Sequence, residues 1–244
     1  MARPLNEQEY AAKRNKILDS ALRLIYTKGF ERMTIQDLLA ELGISKGAFF
    51  HYFASKNDLL EALIERMTGE IIHELDGIIE DPSLNARQKM ERYFQSALRW
   101  KTSRKEVMIA LLRVWYLDEN AVVRQKALFQ GIQQITPILA KIIEQGNREG
   151  LWSVTHAEET AKMMIYLFQG FSDSLAQQLL SAHPQLNQQW LNTTLEAYTE
   201  AIERLLGAER RSLALLNRED IASWFPPTTE IVIPTSSNRK EFTP

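Results

Sequence analysis

The sequence has no cysteine among its 244 residues. That excludes disulfides, thiolate metal sites and cysteine nucleophiles, and it agrees with a reducing compartment such as the cytoplasm. No apolar run approaches the roughly 18 residues of a membrane-spanning helix. The segment from Met1 to Lys16 is polar and contains Glu7 and Glu9, so it does not read as a signal peptide. The sequence contains no Gly-x-Ser-x-Gly elbow, no glycine-rich phosphate loop and no His-Glu-x-x-His. Glu70 and His73 form one Glu-x-x-His, a unit that di-iron carboxylate bundles use in pairs. The residues three before His51, His156 and His183 are Ala48, Ser153 and Leu180, so there is no second copy. The expectation is a protein with no catalytic residue, no metal site and no cofactor. There is no internal repeat, and no convincing two-residue alternation before residue 228 suggests a strand.

What is present is helical. The stretch from Thr34 to Leu60 holds two short amphipathic segments around a tight turn. Ile35, Leu38, Leu39 and Leu42 fall at i, i+3, i+4 and i+7, one apolar stripe on a first helix. Thr34 can cap it, with Asp37 as its capping-box partner. Gly43 supplies the freedom for a sharp turn, and Ser45 can cap a second helix from Lys46 to Phe53 whose first turn is small and polar. This is the pattern of a helix-turn-helix, in which the start of the second helix meets base edges in the major groove.

The run G-I-S-K-G-A-F-F-H-Y-F-A-S-K-N-D-L-L resembles the DNA-binding signature of the tetracycline-repressor (TetR) family of bacterial transcriptional regulators. The likeness covers roughly Ile17 to Leu63. It implies an all-α homodimer with a helix-turn-helix head (1–54), a helical effector-binding and dimerisation domain (55–224) and a tail (225–244) that reads as disordered. Within the second domain, 55–80 is a connecting helix. One departure stands out: the family usually has Tyr where this chain has Phe50, and Tyr52 can supply a replacement hydroxyl. Lys46, Gly47, Ala48 and Phe49 open the second helix, His51 follows one turn later, and Gln36 lies near the start of the first. Thr34, Ser45, Tyr52 and Lys56 are expected to hold phosphates. Phe50 and Phe53 read as core. Up to Lys56 there are nine basic and six acidic residues, a net of +3 in a chain whose net charge is −2. The asymmetry has the expected sign but is mild.

Beyond the head, helices are expected near 85–101, 104–117, 120–149, 157–182 and 186–206, with breaks at Pro82, Thr102-Ser103, Gly150 and Pro184 and a kink at Pro137. Arg210 to Trp224 suggests one more. Trp100, Met108, Trp115, Tyr116, Phe129, Met164 and Phe168 are aromatic or polarizable, with Arg113 or His156 as a polar anchor. They are candidates to line a site for an apolar or amphipathic organic effector, although such stripes are ordinarily core. The late helices are apolar on more than one face. In the resembling family these helices make a four-helix dimer interface, which would involve Gly170, Phe171, Leu175, Leu179, Trp190 and Leu195. The reading that follows is a ligand-responsive repressor that binds a palindromic double-stranded operator. The alternative is a helical protein-interaction module that uses those apolar helices.

Overall fold

The computed structural model describes residues 7–182 and 185–226, and among them the chain is all-α. The helices are α1 (Glu7–Lys28), α2 (Ile35–Leu42), α3 (Lys46–Phe50), α4 (Lys56–Glu80), α5 (Ala86–Thr102), α6 (Lys105–Trp115), α7 (Ala121–Arg148), α8 (Ala157–Leu179), α9 (Gln188–Leu206) and α10 (Arg218–Ala222), with one turn of 3-10 helix (Asp118–Asn120) before α7. The expected break at Pro184 and nearly all of the expected tail lie outside the described residues.

Side chains close most of these helices. Asn85 and Gln88 form a capping box at α5, Ser55 accepts from the Asp58 amide at α4, and Asn187 accepts from Trp190 at α9. Helix α3 is shorter than the expected segment to Phe53. Its last turn tightens where the amides of both Tyr52 and Phe53 donate to the Phe49 carbonyl. Helix α7 continues through Pro137, whose ring lies on the exposed side where water can reach the carbonyl it leaves without a donor.

Two cores result. The head core joins α1, α2, α3 and the first half of α4 through Leu18, Ile25, Phe30, Leu38, Phe49, Phe53 and Leu63, and it also takes in Val114 of α6 and Val123 of α7. The second joins the far half of α4 to α5, α7, α8 and α9 through Leu75, Met90, Leu139, Ile143, Met164, Ile202 and Leu206. Residues 208–217 do not form the helix expected from Arg210 onwards. Buried Glu203 accepts from the amides of Arg211, Ser212 and Leu213 at 2.8–3.0 Å. Three consecutive donors drawn to one carboxylate leave none for a helical turn. The chain then runs back along α5, where Gln95 donates to the Ala214 carbonyl. Phe225, the first residue of the expected tail, is buried.

Candidate nucleic-acid interface and ligand cavity

The turn between α2 and α3 depends on Gly43, which adopts the left-handed conformation (φ 63°) while its amide donates to Leu39. Thr34 and Asp37 form the expected capping box at α2, and Lys28 adds an ion pair to Asp37 at 2.7 Å. Lys28, followed by the Thr34 amide and hydroxyl, holds the Asp37 carboxyl at a pKa of about 2. The Thr34 hydroxyl already donates to Asp37, so it has no proton left for a phosphate. Ser45 differs: its oxygen accepts from the Ala48 amide and its proton stays available.

The exposed face of this unit presents Gln36, Lys46, Gly47 and His51, with Ala48 half covered. Two expectations reverse here. Phe49, expected to meet bases, is 0% exposed and packs on Phe53 in the head core. Phe50, expected in the core, is 42% exposed, with the Lys46 ammonium 5.8 Å from its ring centre. In a helix this short the two neighbours point apart, and only one can face α1 and α4. Tyr52 is half-buried against Tyr10 of α1 at 4.8 Å, and His51 meets the same ring edge-on at 5.7 Å. Lys56 turns inward. Its ammonium donates to the Glu31 carbonyl and lies 4.2 Å over the Phe30 ring, and burial lowers its pKa. It holds the base of the head rather than reaching outward.

A cavity of about 470 Å³ lies among α4 to α8 and the C-terminal segment. Of the residues expected to line it, Met108, Trp115 and Phe168 do, and Phe168 stacks on Phe94 at 3.9 Å. The others do not. Trp100 is buried beneath the Arg104 guanidinium, and Met164 is sealed in the second core. Phe129 is 59% exposed, and both Arg113 and His156 face solvent. Tyr116 donates to Asp173, which also accepts from Gln169, and burial together with Asp173 raises the Tyr116 pKa.

Residues expected at a dimer interface supply part of the wall instead. Phe171, Leu175 and Leu179 line the cavity, and Phe171 is buried within its own chain. Gly170 does admit a close neighbour, but it is Tyr198 of α9 in the same chain, 3.2 Å from where a methyl would stand. Trp190 and Leu195 are half-buried beside Leu191. On α8 the apolar residues left exposed are Met163 (51%) and Tyr166 (58%).

Sequence reasoning missed much of the lining. Ile64, Thr68, Ile71 and Ile72 come from α4, Ile221, Trp224 and Phe225 from the C-terminal segment, and Lys101 from α5. The signal for Lys101 was legible: Phe94, Ala97, Leu98 and Lys101 fall at i, i+3, i+4 and i+7.

The model of bacterial regulatory proteins of the tetR family matches residues 17–63, and that of the tetracyclin repressor-like C-terminal domain matches 106–179. The chain belongs to the TetR family. The uncharacterized HTH-type transcriptional regulator YerO of Bacillus subtilis is 30% identical over 114 residues, covering 46% of this chain and 39% of that protein. YvaF of the same organism is 39% identical over 77 residues, covering 32% and 40%. The chain therefore spans about two fifths of the length of these relatives. The regulator BetI of Escherichia coli is 24% identical over 139 residues, covering 56% and 69%. Among solved structures, a TetR-family regulator from Pectobacterium atrosepticum shares the fold at a TM-score of 0.59 and 18% identity, covering 82% of this chain and 95% of that one. One from Haloarcula marismortui does so at 0.58 and 16%, covering 81% and 97%. The TetR-family matches coincide with the head and with α6 to α8. Lys101 and the C-terminal segment that closes the cavity fall outside both ranges.

No helix among the described residues is long and apolar enough to cross a membrane. Glu70 pairs with Arg66, and His73 faces Asp76 at the surface.

Proposed function

We propose that the protein is a cytoplasmic transcriptional regulator that binds a palindromic operator as a homodimer, acts as a repressor, and is released from DNA by a small organic molecule held in the cavity. The observation that carries this reading is the division of labour within Lys46–Phe53. Lys46, Gly47 and His51 are exposed while Phe49 and Phe53 anchor the helix from behind, the arrangement a recognition helix needs. A relative in Mycobacterium tuberculosis, 37% identical over 82 residues, is described as a transcriptional repressor, which favours repression. Met163 and Tyr166 on the outer side of α8 favour a second copy as partner.

Two helices join cavity to head. Helix α4 puts Leu59, Leu60 and Leu63 in the head core and Thr68, Ile71 and Ile72 in the cavity wall. Helix α6 packs Ala110, Leu111 and Val114 on the head and turns Met108, Leu112 and Trp115 to the cavity. A ligand that favours one placement of these helices changes the separation of two recognition helices. Paired half-sites tolerate little such change. The coupling needed is about 1–3 kcal/mol.

Selection from a random double-stranded DNA pool at about 150 mM salt, where loose phosphate binding is weakened, tests the reading. An enriched palindrome is expected. Failure to enrich any sequence, together with a monomeric protein in solution, refutes it.

A further inference from the structure

We infer that the cavity takes an anionic amphipathic molecule, a single acid group on an apolar body, and that Lys101 is the residue that holds the acid. The inference rests on the reading of this cavity as a ligand site.

Among the described residues Lys101 is the one charged side chain in the cavity wall, which is otherwise largely apolar. Its neighbours in sequence are all engaged: Arg99 with Ser96, Arg104 with the Trp100 carbonyl and Ser103, and Lys105 with the Ser223 carbonyl. Lys101 has no hydrogen bond or ion pair among the described residues. Lys101 lines the cavity wall and its side chain is accessible, so a bound molecule can reach its ammonium. Burial lowers its pKa, and no carboxylate among the described residues opposes that shift.

The wall rules out other ligand charges. No Asp or Glu among the described residues lines it. Asp173, the carboxylate that Gln169 of the wall donates to, also accepts from Tyr116. A cationic ligand would meet a like charge at Lys101 and no carboxylate in the wall, with only aromatic faces such as Trp115 and Phe168 to attract it. A neutral apolar ligand would displace water from the ammonium and give nothing back, which is costly for a charged group. A monoanion neutralises Lys101. Thr68, Tyr93 and Ser172 also line the wall, their hydroxyls have no partner among the described residues, and each can donate to a polar atom of a ligand that reaches it.

The test is calorimetric titration of the full chain with three probes of equal chain length: decanoate, decanol and decyltrimethylammonium. Decanoate should bind about tenfold tighter than decanol, the weight of one charged hydrogen-bonded contact, and the ammonium compound should bind weakest. Lys101→Met should weaken decanoate about tenfold and leave decanol within about threefold. Lys101→Gln serves as the second variant, and retained circular dichroism and operator binding show that each variant is folded. Decanol binding as tightly as decanoate, or decanoate binding unaffected by Lys101→Met, overturns the inference while leaving a ligand cavity. Absence of binding by all three probes overturns both.

Discussion

Phe49 and Lys46 lie three residues apart at the start of one short helix, yet the structure gives them opposite roles, and paired substitutions separate the two. Phe49 is 0% exposed, and its ring meets those of Phe50 and Phe53 at 5.4 and 5.8 Å. Truncating a fully buried Phe to Ala costs about 3–5 kcal/mol. At about 2–4 °C per kcal/mol for a chain of this size, Phe49→Ala should lower Tm by about 6–20 °C. Lys46 is exposed and makes no ion pair among the described residues, so Lys46→Ala should leave Tm unchanged. Its effect should appear in a salt titration of operator binding. Losing one phosphate contact reduces the slope of log K against log salt by about 0.9 per subunit. Both measurements need one fixed protein concentration, because the stability of the dimer proposed above would depend on it. If Phe49→Ala keeps the parental Tm and loses operator affinity, Phe49 reads DNA and the assignment of faces on α3 is wrong.

Gly146→Ala should be strongly destabilising, because a methyl there would stand 1.8 Å from the Trp152 ring, whose indole donates to Ile143 at 2.7 Å. A loss of about 2–5 kcal/mol is expected by denaturant unfolding, and Trp152→Leu in the same chain should recover part of it. Asp37, whose pKa falls from 3.8 to about 2 on folding, stabilises the ionised state above pH 3.8 and loses that contribution as pH drops through 2. The stability gap between the parent and Asp37→Asn should therefore close over that range in acid denaturation. Glu203→Ala leaves three buried or half-buried amides without an acceptor. Limited proteolysis should then cut within residues 208–217 first.

The helices were legible because their punctuation is local. Thr34 and Ser45 cap where caps were expected, and Gly43 takes the positive φ its position requires. Periodicity located the apolar stripe of α2. What it could not decide was which neighbour of an apolar pair faces inward, because Phe49 and Phe50 look alike in sequence and differ only by the rotation of a five-residue helix against α1 and α4. The same ambiguity exchanged cavity and interface on α8. Phe168, Phe171, Leu175 and Leu179 follow one stripe at spacings of three and four, and the stripe faces the interior void, so no partner subunit is needed to explain it. The cavity's C-terminal wall was beyond local reasoning, since Glu203 and Gln95 determine the path of residues 208–217 from distant helices.

Ile64 makes the coupling between cavity and head testable at one side chain. It packs against the head core and also lines the cavity, so it lies on the boundary where α4 passes from one to the other. If cavity occupancy shifts α4, Ile64 transmits part of that shift through direct contact. Coupling is reciprocal: bound operator must change ligand affinity by the factor by which ligand changes operator affinity. Decanoate titrations with and without saturating operator therefore measure it, whatever molecule the cavity holds in the cell. Ile64→Ala should shrink that ratio by about 0.5–2 kcal/mol, because the cavity it leaves lets α4 move without moving the head. Its effect on either binding event alone should be smaller than its effect on the ratio. A ratio unchanged by Ile64→Ala, with both sites still occupied, would place the coupling on α6, where Leu111 and Leu112 divide the two faces in the same way.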